Sequence, residues 1–487
     1  MLIFVTLLVP LVGGAIIPLL HLDDKRRGIY TETVVVITSV LCWLTLWRCQ
    51  GEMVPLFSML KGLDIVFRID GMGVIFAGLV SLLWPIANLY AIEYMQHEER
   101  RDSFFAFYTM TYSVALCVAF SGSLFTLYIC YEFMTLITLP LVAHKHDAAS
   151  SLAGRKSVYF SISGAAMALM AVVFVITYSD TNMFTLGGVL SAEKMSGMED
   201  VLRWVFLLAF VGFGTKAAIF PMYAWLPAAS VAPTPVTALL HAVAVVNTGA
   251  FAVLRVIYYS FGADFLYGSL PQMIAIGLAC FTLVFGSAMA VKEQHFKRRL
   301  AYSTVSNLSY MLMGAALMTP AGMVGSLTHL MFHGVMKITL FYCAGAILVR
   351  TGYEYVQDLR GFHRVMPFTC GVFALGALAM VGIPPLCGFV SKWNLLTAAA
   401  DTGLPMGLVA IGALIISAIL TAIYLFTVAF NMYFRPLNPE LASLEGTNRD
   451  PSWKMKVPFA VLCTAIVALG IWSQPLITYL RAVAAGL

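Results

Sequence analysis

The chain has 487 residues, of which 60% are hydrophobic and 11% charged, and its mean hydropathy is +0.88. That composition excludes a water-soluble monomer and describes a polytopic membrane protein with the lipid bilayer as its first partner. The net charge of +5 is accounted for by the bias of cytoplasmic loops toward Lys and Arg, so it calls for no nucleic-acid partner.

A spanning helix needs about 20 apolar residues. About fourteen runs approach or exceed that length, centred near residues 12, 39, 82, 113, 135, 168, 212, 247, 281, 310, 336, 376, 420 and 470. The first, LIFVTLLVPLVGGAIIPLL, has no basic start and no small-residue cleavage site, and further spans follow. It reads as span 1 rather than a signal peptide. The expected fold is an all-α polytopic membrane protein, with spans 1–3 in residues 1–100, spans 4–8 in 101–262, spans 9–13 in 263–436 and span 14 in 437–487. Loops after odd-numbered spans carry most of the basic residues, among them Lys25, Arg26, Arg27, Lys292, Lys297, Arg298, Arg299, Arg360 and Arg435. Arg48, Lys61, Arg68, Lys194, Arg203, Arg255 and Arg481 fall on the other side. Both termini are therefore expected outside.

The nine cysteines are scattered through apolar runs with no CxxC spacing and read as packed, reduced thiols. No glycine-rich nucleotide loop follows a strand. No cofactor and no metal are expected in this chain, so its energy must come from an ion gradient or a partner.

Ionisable groups inside apolar runs then need a reason. Lys216, Lys337 and Lys392 lie in or beside such runs, where a charge costs at least about 2.5–3.5 kcal/mol and usually marks an ion or proton route. Prolines cluster beside two of them. Lys216 precedes Pro221 and Pro227, and Gly382, Pro384, Pro385 and Gly388 precede Lys392. Proline removes an amide donor and clashes with the preceding turn, so spans 7 and 12 should be broken within the membrane. Two breaks five spans apart are what inverted five-helix repeats of spans 4–8 and 9–13 would produce. Kinks that serve packing alone are the alternative.

Glu132, in LYICYEFMTLITLPLV of span 5, reads as the only acid deep in a span. An adjacent ammonium would keep it ionised, and opening a Glu132–Lys216 contact would drive the lysine proton onward; a static ion pair is the other reading. His329, His333 and Lys337 recur at i, i+4 and i+8 along one face of span 11, and His241 lies in span 8. Imidazole can accept and donate near neutral pH, although a buried His can equally be a satisfied core residue. A charged lysine on the same face argues against a metal. Ser303, Ser306 and Asn307 of span 10 can hold water between these groups or serve as interhelical glue.

The strings TKAAIFPMYAWLPAASVAPTPVTALLHAV, SLTHLMFHGVMKITLFYCAGAI and GIPPLCGFVSKWNLL, in that order, resemble the antiporter-like subunits shared by respiratory complex I, Mrp-type Na+/H+ antiporters and energy-converting membrane-bound hydrogenases. The resemblance covers at least spans 3 to 13. It implies a glutamate–lysine pair at Glu132 and Lys216, a bridge at His241, a terminal lysine at Lys392, and His329, His333 and Lys337 between them. It further implies a proton-translocating subunit of a multisubunit redox complex in a prokaryotic inner membrane. Its partners would be homologous membrane subunits and a redox arm, and its ion H+. A gradient-driven antiporter that also moves Na+ and a non-transporting scaffold are the alternatives. The chain departs from the family pattern at Tyr223 and Ser230, where many members have histidine, and at Asn247, where several have lysine. It stops soon after span 14 without the long lateral helix of the largest complex I subunit, which favours a middle-type complex I subunit, a hydrogenase subunit or the smaller Mrp subunit.

Overall fold

The computed structural model describes residues 1–60, 63–444 and 446–487; Lys61 lies outside them. The protein is mostly helical. In chain order the helices are α1 (Leu2–Leu20), α2 (Asp24–Arg48), α3 (Gly71–Tyr94), α4 (Arg101–Ala119), α5 (Leu124–Val142), α6 (Ala148–Tyr178) and α7 (Glu199–Gly214). They continue with α8 (Trp225–Ala228), α9 (Thr234–Ala242), α10 (Val245–Arg255), α11 (Ala263–Leu266), α12 (Leu270–Lys292) and α13 (Phe296–Ala316). The last are α14 (Pro320–Thr351), α15 (Pro367–Val381), α16 (Cys387–Ala400), α17 (Pro405–Phe434), α18 (Trp453–Ile471) and α19 (Gln474–Ala484). Among the described residues, ten helical segments are long and apolar enough to cross a membrane by length and composition. The other expected spans coincide with α4, α7, α13 and the α15–α16 pair, which are short, interrupted, or open on charged residues such as Lys297, Arg298 and Arg299.

The all-α expectation needs one correction. Residues between α2 and α3 form an antiparallel pair, β1 (Met53–Leu60) and β2 (Leu63–Arg68), with Met53 opposite Arg68 and Leu60 opposite Leu63. VPLFSML and LDIVFR are too short to span and rich in strand formers. Pairing lets them satisfy their own amides, and the loop before α5 extends the ladder through Arg68 N–H to Phe120 O (2.7 Å) and Gly122 N–H to Val66 O (2.9 Å).

Burial separates centre from periphery. The segment Thr234–Phe261 is wholly buried and the most apolar stretch of α14 is 89% buried, against 33% for α1 and 28% for α18. The polar residues of α14 therefore sit in the middle of the protein, with α9, α13, α15, α16 and α3 packed around them. α14 is also the longest helix, 32 residues opened by a Thr319 hydroxyl cap on Gly322 N–H (3.0 Å).

Three interruptions shape this centre. After Gly214 the chain leaves the helix until Trp225, with Ala218 at φ 55° and a cis Phe220–Pro221 peptide. After Val381 it turns at Gly382 (φ 98°), a left-handed conformation that glycine adopts without steric cost, and re-enters a helix at Cys387 beyond a cis Pro384–Pro385 peptide. The third interruption is one the sequence does not announce: Val243 and Ala244 separate α9 from α10 in a run with neither proline nor glycine. Asn247 reaches back across that break, its Nδ2 donating to the Ala242 carbonyl at 2.8 Å.

Candidate functional site: a buried row of lysines and histidines

Lys216 stands in the first interruption, 1% exposed. Its ammonium lies 3.5 Å from Glu132 Oε1 on α5 and donates to the Tyr131 carbonyl at 2.5 Å. It also sits 3.2 Å from the centroid of the Tyr131 ring, a cation–π contact that strengthens where water is excluded. The Tyr131 hydroxyl donates in turn to Phe213 O (2.9 Å), one of the carbonyls left without an amide where α7 ends. Tyr131 is thus the residue that seats the lysine, and sequence reasoning passes over it; adjacency to Glu132 is its only signal. Helix α10 closes the other side, since a methyl on Gly249 would come within 3.0 Å of Lys216 Cβ.

His241, the next-to-last residue of α9, is fully buried, with its ring 4.8 Å from that of Phe341 on α14. Gly334, next to His333 on α14, packs against the Ala242 carbonyl at the same break. Neither ring nitrogen of His241 or of His333 has a hydrogen-bond partner among the described residues. Asn247 Oδ1 and Thr248 Oγ1 are likewise buried and unpartnered. Buried polar atoms are seldom left so without ordered water.

Along α14 the row continues. The rings of His333 and His329 are 5.9 Å apart, and His329 stacks on Tyr310 at 5.2 Å. Its Nδ1 lies 3.0 Å from the Ser391 hydroxyl. Lys392, the residue after Ser391, is 5.2 Å from the Tyr310 ring centroid and donates to the Met380 and Val381 carbonyls at 2.8 and 3.1 Å. Those are the last carbonyls of α15, exposed by the break. Lys337 turns away toward α13, donating to Ser303 Oγ at 2.7 Å and to Leu300 O at 3.3 Å; the Ser303 hydroxyl meets that of Tyr424 on α17 at 2.6 Å. Ser306 has no hydrogen bond to Lys337 among the described residues. It joins a hydroxyl cluster instead, 2.7 Å from Ser287 and 3.1 Å from Ser417. Asn307 folds back onto Ser303 O (2.7 Å).

The seven predicted residues are buried or half-buried, but the contacts join them in parts only, Glu132 with Lys216 and His333 with His329; no direct hydrogen bond joins Lys216 to His241 or His333 to Lys337 among the described residues. Two other buried polar contacts escape sequence reasoning. Arg255, fully buried, pairs with Asp70 at 2.5 and 2.7 Å, and Asp70 caps α3 through Gly73 N–H (2.8 Å). Glu32 of α2 accepts from Asn88 Nδ2 at 2.8 Å, so Glu132 is not alone among acids drawn into a helix interior. Tyr223 packs on Phe220 and Phe285. No group of three or more His, Cys, Asp or Glu side chains that could hold a metal occurs among the described residues.

Comparison with known proteins bears on the same region. Residues 121–421 match the family described as NADH:quinone oxidoreductase/Mrp antiporter, TM, and residues 60–105 match NADH-Ubiquinone oxidoreductase (complex I), chain 5 N-terminus. The chain is 32% identical over 413 residues to NADH-quinone oxidoreductase subunit N of Desulforudis audaxviator (strain MP104C), covering 82% of this chain and 80% of that one. It is 29% identical to a component of a probable K(+)/H(+) antiporter of Rhizobium meliloti (strain 1021), with 84% of this chain matched to 40% of that one. In fold it superposes on a chain of the membrane-bound sulfane sulfur reductase, an archaeal respiratory membrane complex, with a TM-score of 0.84 at 19% identity over 99% of this chain and 97% of that one. The first family match runs from the loop before α5 to the middle of α17 and so encloses the whole lysine and histidine row: the chain belongs to the NADH:quinone oxidoreductase/Mrp antiporter membrane-subunit family.

Proposed function

We propose that the chain is a proton-translocating subunit of a multisubunit redox complex in a prokaryotic inner membrane, resembling complex I or an energy-converting hydrogenase. The observation that carries this reading is the Glu132–Lys216 pair, a lysine 1% exposed whose countercharge sits 3.5 Å away on another helix. Protons pass from Lys216 by way of His241, His333 and His329 to Lys392, with Lys337 joining from the α13 side; water fills the gaps between the unpartnered ring nitrogens. Moving a charge against 100 mV costs about 2.3 kcal/mol. Two charges about 4 Å apart interact by about 4 kcal/mol at an effective dielectric of 20, so opening that one contact is enough to drive a proton on against such a potential.

The chain forms about fourteen spans, with residues 101–262 and 263–436 as inverted repeats, residues 1–100 and 437–487 flanking them, and both termini outside. The paired breaks support this, because α7 and α15 each end beside a lysine and each gives way to a proline-containing interruption. The partners are other membrane subunits, including relatives of this chain, and a redox arm that supplies the driving energy.

A gradient-driven antiporter is the second reading, supported by the likeness to the Rhizobium antiporter component. One experiment separates the two. The chain is tagged in its host, its complex is purified gently and identified by mass spectrometry, and proton uptake is measured in vesicles. Redox subunits, with proton uptake driven by an electron donor and indifferent to Na+ or K+, are expected. Small membrane subunits alone, with proton flux that needs a Na+ or K+ gradient, would replace the redox reading with the antiporter one.

A further inference from the structure

On the face that carries the basic loops, the ends of α12, α13 and α17 and the segment after α14 enclose a cavity of about 240 Å3. Sites for drug-sized ligands run to about 300–1,000 Å3, so this one suits a small group. Its lining includes Arg299, Arg360, Arg435, Gln294, Gln357 and Asn431, and no acidic residue. Three guanidinium groups and three amides thus surround one small volume, a donor set suited to an anion.

Arg299 is the inner wall, 2% exposed. Its Nε donates to the Glu293 carbonyl at 2.7 Å, Nη1 to the Tyr424 carbonyl at 3.0 Å and Nη2 to the Val291 carbonyl at 3.4 Å. A guanidinium has five N–H groups, so two remain free once those carbonyls are served. All three acceptors are neutral. The Glu293 carboxylate is engaged elsewhere, by Arg298 at 3.5 Å and by the His295 amide at 2.9 Å. The Glu293 carboxylate acts on Arg299 through space without forming an ion pair with it, and a buried cation whose nearest countercharge is shared with a second arginine is still costly. Arg360 and Arg435 add positive charge at the exposed rim, and among the described residues neither has a carboxylate within ion-pair distance.

We infer that this cavity binds a phosphate-bearing anion, with Arg299 as the inner donor and Arg360 and Arg435 closing over it. Planar guanidinium groups match phosphate oxygens two at a time, which is the pairing this lining offers. The surrounding surface favours a phospholipid headgroup over free phosphate. Ile423, which lines the cavity, continues an exposed apolar stripe on α17 through Ile415, Ile419, Phe426 and Phe430, each between 38% and 58% exposed. Their spacing of three and four residues keeps them on one side of the helix. A headgroup held by the arginines would lay its acyl chain along that stripe. The inference does not depend on the proton relay.

The test uses the intact protein with whatever subunits accompany it, and the double variant Arg360→Gln/Arg435→Gln, whose exposed rim positions leave folding intact. Wild type and variant are placed in nanodiscs of phosphatidylcholine with added phosphatidylglycerol, and retained lipid is read by native mass spectrometry. Inorganic phosphate is titrated separately against both in lipid-poor detergent. The expected result is about tenfold less phosphatidylglycerol retained by the variant, with phosphatidylcholine unchanged. Phosphate binding that differs between the two proteins while lipid retention does not would uphold the anion site and assign it to free phosphate. Equal lipid retention together with equal phosphate binding would overturn it.

Discussion

Lys216 and Lys392 stand beside two proline-containing breaks, yet what surrounds them differs in kind. Lys216 is sealed from solvent and faces a carboxylate 3.5 Å away on a separate helix, with the Tyr131 carbonyl and ring completing its seat. Lys392 is half-buried and held by two backbone carbonyls of α15, at 2.8 and 3.1 Å, with no carboxylate within 4.0 Å among the described residues. A carboxylate can move away or lose its charge, whereas carbonyls at a helix end can change only if the break itself moves. On the proposed reading the first half of the molecule holds the controlled step and the second half a fixed acceptor.

Substitutions can break that comparison or sharpen it. The largest effect is expected from Glu132→Gln, which removes the countercharge and keeps the shape. Proton translocation in inverted membranes should fall by about a hundredfold or more, while the complex still assembles, because Lys216 retains the Tyr131 carbonyl. Unchanged translocation would make the pair a static packing contact. Next is Ser303→Ala. It takes from Lys337 its side-chain acceptor, and the loss of a hydrogen bond to a charged group, about 1.5–3 kcal/mol, should slow translocation by about ten- to a hundredfold. A smaller effect belongs to Ser391→Ala, which frees His329 Nδ1 from a neutral partner; a neutral bond is worth about 0.5–1.5 kcal/mol, so a severalfold slowing is expected, and a collapse as deep as that of Glu132→Gln would mean that the second half is no passive acceptor. Tyr223→Phe should change nothing measurable in the same assay, since that ring packs on Phe220 and Phe285. Lost transport there would show that the hydroxyl has a polar role.

How legible each part is in the sequence follows from what the residues must overcome. A charge in an apolar run is conspicuous, so Lys216, Lys337, Lys392 and Glu132 stand out from cost alone, and the prolines mark where α7 and α15 must stop. The break at Val243–Ala244 is hidden because nothing there forbids a helix. It is a tertiary feature, in which Gly334 packs against the Ala242 carbonyl and Asn247 bridges the gap. Asp70 and Arg255 are 185 residues apart, and only the three-dimensional packing that brings α3 and α10 together reveals them as a pair. Loop-like charges mislead for the same reason. Arg299 reads as a cytoplasmic anchor, whereas its side chain turns inward to three carbonyls. The strand pair at Met53–Arg68 is missed because a short alternating segment between two spans looks like any connection until its partner is known.

The most direct test of the central claim is proton translocation by Lys216→Ala in reconstituted vesicles, with assembly verified on a native gel. Truncation empties the seat formed by Tyr131 and Glu132 and removes the first carrier of the proposed relay. The account predicts an assembled complex that translocates no protons; an assembled complex that translocates them at the wild-type rate would contradict it.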